Sequence, residues 1–221
     1  MLKAQVVEVG GSSVQLLAQR AAFVPEHGLL LVADAHVGKA ASFRRWGVPV
    51  PEATTDDTLG RLEALVAATG ATQVVFLGDL LHSARGRAAA TLQAFARWRE
   101  TRSALRLTLV RGNHDDRAGD PPSDWGVSCV DKPMRVGGLA LCHHPEPVAD
   151  AYVLAGHLHP CVWVGGRGHD RLRLPCFHLG ARVGVLPAFG AFTGMHAVRP
   201  APGDRVFVST GDEVRALHFA P

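Results

Sequence analysis

Gly28-Leu29-Leu30-Leu31-Val32-Ala33-Asp34-Ala35-His36 is the stretch that decides the fold. A run of uncharged, mostly apolar residues stops abruptly at a carboxylate and an imidazole. A continuous apolar run of this length reads as a strand buried on both faces, as in a parallel sheet covered on each side. Polar residues at the end of such a strand sit where α/β sheets place their sites. The same grammar recurs outward from this run. QVVFL (73–77) is followed by Gly78-Asp79, and the strand read over 105–110 by Arg111 and then Gly112-Asn113-His114-Asp115. LALC (139–142) is followed by His143-His144, and YVLA (152–155) by Gly156-His157-Leu158-His159. Five strand ends each deliver Asp, Asn or His.

Helices are read between these strands. Thr54-Thr55-Asp56-Asp57 offers a cap and acids for a helix N-terminus, Leu59, Leu62, Leu65 and Val66 supply the apolar stripe, and Gly70 fits the end. A second helix is read over 88–99, with Leu92, Phe95 and Trp98 on one side. Residues 4–9 and 13–19 alternate around Gly10-Gly11 as a hairpin, and 127–130 is a further short strand. The segment from 37 to Arg45 is read only as polar. From Cys161 onward helix signals vanish, and 161–164, 172–177, 205–209 and 214–219 read as strands. Early strand–helix alternation and a late β-meander predict one α/β domain over 1–221 in which two sheets pack together.

Composition excludes several classes. With 47% hydrophobic and 19% charged residues the chain is not disordered, and no apolar run is long enough for a membrane span. The first residues turn polar too early for a secretory signal, so a soluble cytoplasmic protein is expected. A net charge of +3 falls short of a dedicated nucleic-acid binder's basic stripe, and the dominance of Arg over Lys fits a GC-rich genome as well as any phosphate-binding role. Cys129, Cys142, Cys161 and Cys176 form no C-x-x-C pair and read as free thiols. Trp46, Trp98, Trp125 and Trp163 are dispersed and read as core residues. Twelve histidines are the compositional anomaly.

The spacings carry chemistry. In extended backbone, residues two apart point to one side, so Asp34 and His36 are expected to reach one ion together, as are His157 and His159. Gly78 and Gly112 permit sharp turns before Asp79 and Asn113. A donor set of carboxylate, imidazole and amide without thiolate disfavours structural zinc and suits open Mn, Fe or Zn centres. A D-x-H tripeptide alone is common by chance and G-N-H-D alone is often only a turn. Five such pieces in order at strand ends are not.

The ordered set D-A-H (34–36), G-D (78–79), G-N-H-D (112–115), H (143) and G-H-L-H (156–159) resembles the calcineurin-like metallophosphoesterase superfamily. DAHVGKAASFRRWGVPVP (34–51), GDLLHS (78–83) and LPAFGAFTG (186–194) are similar to the bacterial ligase-associated DNA damage response endonuclease family. The resemblance implies two packed mixed β-sheets flanked by helices, with a dimetal site at strand ends. It implies that Asp34, His36, Asp79 and His159 hold one ion, that Asn113, His143 and His157 hold the second, and that Asp79 bridges them. Two divalent ions are implied, with manganese favoured over iron or zinc. His143 is preferred to its neighbour His144, which is left facing substrate. His114 would assist a metal-bridged hydroxide in phosphodiester hydrolysis, and Asp115 would orient the His114 imidazole. Lys39, Arg44, Arg45 and His82 are candidates for gripping substrate, with a solvated helix face the plain alternative for the three cations. The implied substrate is DNA, the reaction endonucleolytic, and a DNA ligase and helicase are implied associates in repair. Hydrolysis of a small nucleotide or lipid-linked phosphoester is the alternative, and an inert scaffold the weaker one. The absence of a long cap insertion favours a cleft open to a polymer.

Overall fold

The computed structural model describes residues 3–45, 47, 54–83, 87–131, 133–165, 171–191 and 193–219. One sheet begins as an antiparallel meander, β1 (Ala4–Val9), β2 (Ser12–Leu17), β3 (Ala21–Val24) and β4 (Leu29–Ala33). It continues in parallel through β5 (Gln73–Leu77), β6 (Arg106–Val110) and β7 (Val127–Val130). Helices α1 (Lys39–Arg45), α2 (Thr54–Thr69), α3 (Ala89–Thr101) and α4 (Asn113–Ala118) fall between its parallel strands. The remaining strands are β8 (Met134–Val136), β9 (Leu139–Leu141), β10 (Tyr152–Ala155), β11 (Pro160–Gly165), β12 (Arg171–Leu179), β13 (Val183–Val185), β14 (His196–Ala197), β15 (Arg205–Ser209) and β16 (Val214–Leu217). They form a second sheet in the order β14-β11-β12-β13-β10-β9-β8, with β15 and β16 branching from β12. Pairing in it is mixed: β9, β10 and β13 run parallel, while β11–β12 and β12–β15 are antiparallel.

The pleat sorts the apolar runs onto two sides. Leu30, Val32, Val74, Phe76, Leu107 and Leu109 pack with the helix residues Leu59, Leu62, Leu65, Phe95 and Trp98. Their neighbours Leu29, Leu31, Ala33, Val75 and Leu77 meet Leu139, Leu141, Leu154, Phe177 and Leu179 of the second sheet. That double burial is why these strands carry no polar alternation. Truncating a core residue such as Phe76 costs about 3–5 kcal/mol. On α3, Phe95 stacks on Trp125 with ring centroids 3.8 Å apart, and Trp98 Nε1 donates to Glu63 of α2 at 3.1 Å.

The two packed sheets are flanked by helices as expected, on the side of the first sheet. The apolar clusters on the outer face of the second sheet, Ala140, Cys142, Val153 and Ala155, and Val162, Cys176, Val206 and Val208, contain strand and loop residues only. The helices α2 and α3 therefore cover one sheet rather than flanking both. The polar segment after His36 contains α1, and the tetrapeptide at 112–115 runs into α4. The predicted strand over 13–19 stops at Leu17 because Arg20 takes a left-handed turn, its amide bonding the Leu17 carbonyl at 3.0 Å. The short β3, β8, β13 and β14 also went unread, since two to four residues are too few for a period to register. All four cysteines are free, three of them buried.

Candidate metal centre

The ends of β4, β5, β6, β9 and β10 lie side by side, and the backbone fastens them. His36 N–H donates to the Asp79 carbonyl at 2.9 Å, and Val37 N–H to the Leu80 carbonyl at 2.8 Å. Gly190 N–H donates to the Asp34 carbonyl at 3.0 Å, so the 186–190 segment closes over β4. Asp34 also receives the His157 amide on Oδ2 at 2.8 Å.

Seven non-glycine residues have left-handed backbone among the described residues, and five are Asp34, His36, Asp79, His157 and His159. Each such residue costs about 1–2 kcal/mol against the right-handed form. Strain concentrated in this way marks a functional site. It also corrects one expectation: Asp34-x-His36 and His157-x-His159 are not extended, so the two-residue rule does not aim their side chains. His159 instead groups with Asp34 and His36, while His157 groups with His143 and His144. Glycines leave the room this needs. A Cβ on Gly156 would lie 2.6 Å from Asp34 Oδ2, and one on Gly78 would collide with the His143 ring.

Backbone carbonyls set the imidazole tautomers, because a carbonyl can only accept. His143 Nδ1 donates to Leu77 O at 3.0 Å, His159 Nδ1 to Gly194 O at 2.9 Å and His114 Nδ1 to His82 O at 2.7 Å. Each neutral ring then turns a bare Nε2 inward. His143 Nε2 lies 3.6 Å from Asp79 Oδ1, 3.0 Å from Asn113 Oδ1 and 3.1 Å from His157 Nδ1. His159 Nε2 lies 3.5 Å from Asp34 Oδ1, and His36 Nε2 lies 4.0 Å from Asp79 Oδ2. The two oxygens of Asp79 thus face two different donor groups.

Charge makes this arrangement unstable without a cation. Asp34 and Asp79 are almost fully buried, and Asp34 Oδ1 and His36 Nδ1 have no hydrogen-bond partner. Buried carboxylates and converging lone pairs without a countercharge are costly. Burial raises the Asp79 carboxyl above its usual range, and the charge of Asp34 adds to this. Burial holds His36, His143 and His157 below the usual imidazole value, and pushes His82 down to about 4. Burial also pulls on His159, but the charge of Asp34 beside it and its bond to the Gly194 carbonyl win, leaving it raised. The oxygen and nitrogen donors, without sulfur, fit divalent metal ions.

The other predicted residues divide. His82 stacks on His114 with centroids 5.2 Å apart. Lys39 opens α1, where Asp34 and Asp79 oppose the lowering of its pKa by burial. Arg44 is exposed on α1, and the Arg45 side chain and Trp46 lie outside the described residues. His144 is exposed, its ring 4.5 Å from that of His157, whereas His143 is buried.

Asp115 does not orient the His114 ring. Its carboxylate accepts from the amides of Asp79 at 2.7 Å, Gly112 at 2.9 Å and Leu81 at 3.3 Å. As the third residue of α4 it folds back on the cap position, which turns it away from the neighbouring imidazole. Burial pushes its carboxyl up to about 6. Trp163 is a second correction: Trp98 and Trp125 are core residues, but Trp163 is 57% exposed. The sequence reading also missed Arg61, whose guanidinium lies 4.1 Å over the Phe189 ring and donates to the Phe189 carbonyl. Arg111, at the end of β6, is tied to Asp120 and Asp131.

No protein-family model and no curated protein matches the chain. Among solved structures, the Pseudomonas putida nuclease MPE aligns over 97% of this chain and 100% of its own, with 41% identity and a TM-score of 0.85. Yfce, a phosphoesterase from E. coli, aligns over 81% of this chain and 86% of its own, with 18% identity and a TM-score of 0.39. At 41% identity over nearly its whole length, the chain belongs to the calcineurin-like metallophosphoesterases and, among them, to the family of the Pseudomonas putida nuclease MPE.

Proposed function

We propose that the chain acts as one metallophosphoesterase domain, a binuclear metal-dependent phosphodiesterase that cuts DNA endonucleolytically. The observation that carries this reading is Asp79, whose two carboxylate oxygens face separate donor groups. Asp34, His36 and His159 would hold one divalent ion with Asp79, and Asn113, His143 and His157 the other. The ions, manganese by the resemblance to the metallophosphoesterases, would supply Lewis-acid activation of water and charge for the phosphoryl oxygens.

The chain's own residues do the rest. His114 is a partly exposed imidazole of the cluster, with Nδ1–H fixed on the His82 carbonyl and Nε2 turned inward. When protonated, Nε2 can donate a hydrogen bond to a non-bridging phosphate oxygen or give a proton to the departing sugar oxygen. His82, stacked beside it, keeps the ring in place. Asp115 positions the 78–82 and 112–114 loops by gathering their amides. Lys39 supplies positive charge beside Asp34 and Asp79. Arg44, Arg45 and His144 would meet flanking phosphates, with His144 touching substrate rather than metal.

The nuclease named for the relative supports a nucleic acid substrate. The residues similar to the ligase-associated repair endonucleases support DNA, a cytoplasmic setting, and work alongside a ligase and a helicase. The test is incubation of the purified protein with manganese, iron or zinc and circular single-stranded DNA, duplex DNA, nucleotides or bis(4-nitrophenyl) phosphate. Metal-dependent linearisation of the circle is expected. Rapid nucleotide turnover with the circle left intact would replace the endonuclease with a small-molecule phosphohydrolase.

A further inference from the structure

Of the described tryptophans, Trp98 and Trp125 are 8% and 1% exposed, yet Trp163 on β11 is 57% exposed. A large aromatic ring left in water forgoes a substantial burial gain. Its surroundings are specific. Trp163 pairs across strands with Arg173, whose guanidinium lies 5.6 Å over the ring centroid. Arg171, two residues away on β12, is exposed on the same face. On the other side Arg199, just past β14, lines a groove with Trp163. This groove, open and about 790 Å³ in volume, has no acidic lining residue among the described residues. The carboxylate behind it, Asp204, is already bound by the groove residue His178 at 2.7 Å and by the Ala201 amide at 2.9 Å.

The groove adjoins the metal centre along the chain. Leu158 forms part of its wall and lies in the chain between His157 and His159. From His159 to Trp163 the chain runs four residues along β11, about 13 Å at extended rise.

We propose that the Trp163 face of the β11–β12 hairpin, with Arg171, Arg173 and Arg199, is a stacking platform for an unpaired base of the substrate strand flanking the scissile phosphate. It rests on the polynucleotide reading of the metal centre. The flat ring takes any base, and the three guanidiniums pair with the adjoining phosphates. A stacked base beyond the reaction point would fix the strand's direction across the metals. An isolated aromatic patch without cations would suit a second protein copy; three arginines around one ring suit a polyanion with aromatic bases.

The test uses full-length Trp163→Ala and Trp163→Phe, with fluorescence anisotropy of a labelled thymidine 12-mer and of an abasic 12-mer in EDTA. Alanine is expected to weaken thymidine 12-mer binding by about tenfold, and phenylalanine to restore most of it. Neither substitution should change abasic binding by a comparable factor. With manganese present, the alanine variant's loss in kcat/KM on the oligonucleotide should exceed any loss on bis(4-nitrophenyl) phosphate by about tenfold. Equal binding of wild type and alanine variant to the thymidine 12-mer overturns the platform while leaving a cutting wild type, and the nuclease reading, intact. An equal loss on base-bearing and abasic strands also overturns it. So does an alanine variant that changes only the oligomeric state in light scattering. A wild type that hydrolyses the small diester but neither binds nor cuts the 12-mer overturns the nuclease reading, and the platform with it.

Discussion

The two donor groups around Asp79 are built differently. The Asp34–His36–His159 group owns a carboxylate, buries Asp34 and His36 while leaving His159 partly exposed, and is held by left-handed backbone at all three residues. The Asn113–His143–His157 group is neutral apart from Asp79, takes one member from the first turn of α4, and has the exposed His144 at its edge. A donor set with its own negative charge binds a divalent ion more tightly than one that must borrow it. On the proposed binuclear reading the first group would be the tighter, less exchangeable site, and the second would open toward substrate.

Asp79 tests what the groups share. Asp79→Ala should empty both sites and lower turnover far beyond the roughly 10–100-fold loss typical of a residue that only supports a ligand. Elemental analysis after gel filtration reads the metal, and a variant that keeps two ions would refute the shared carboxylate. His114→Ala should keep both ions yet lose about 10²–10⁴-fold in turnover, through loss of the proton donor. The next effect separates the groups. Asn113→Ala should leave one tightly held ion per chain, whereas Asp34→Ala should leave neither held tightly. Manganese titration by calorimetry distinguishes these, and equal behaviour would erase the proposed asymmetry.

Much of this was legible in the sequence, because strand ends are marked by an abrupt change of chemistry. GLLLVADAH, QVVFLGD and YVLAGHLH each pass from apolar to liganding types within one residue or two. What distance in sequence hid was orientation. A left-handed Asp34 or His159 has no compositional signature, unlike a glycine, since the conformation is imposed by neighbouring loops rather than by local propensity. Asp115 was misread for a related reason. Its position three residues after Gly112 is a capping position, a local signal that outranks adjacency to His114. Trp163 was misread because strand alternation cannot say where a hairpin leaves the core.

Asp115 supplies the next prediction. Asp115→Asn should lower stability by about 1–3 kcal/mol, since three amides lose a charged acceptor, and each kcal/mol should lower Tm by about 2–4 °C. Turnover at a temperature where the variant stays folded should fall far less than in His114→Ala. A loss of turnover as large as that of His114→Ala without a loss of Tm would restore the discarded orienting role.

The smallest effect is on acidification of the metal-free protein, and it distinguishes the groups once more. Burial lowers His143 and His157 in the second group, so the unfolded chain takes up protons there before the folded one. Their contribution to stability is present above the unfolded value near 6.5 and is lost as pH falls below it. The first group is divided. His36 is lowered and acts in the same direction, while His159 is raised by Asp34, so its contribution is fully present below 6.5 and is lost as pH rises through its folded value. Denaturant melts between pH 7.5 and 5 should show stability falling on acidification. His143→Gln should flatten that fall, because it removes a lowered imidazole. His159→Gln should steepen it, because it removes an imidazole that, with the raised carboxyls of Asp79 and Asp115, opposes the trend. Identical slopes in both variants would mean that the two groups are electrostatically equivalent, and that the Asp34 carboxylate does not set them apart.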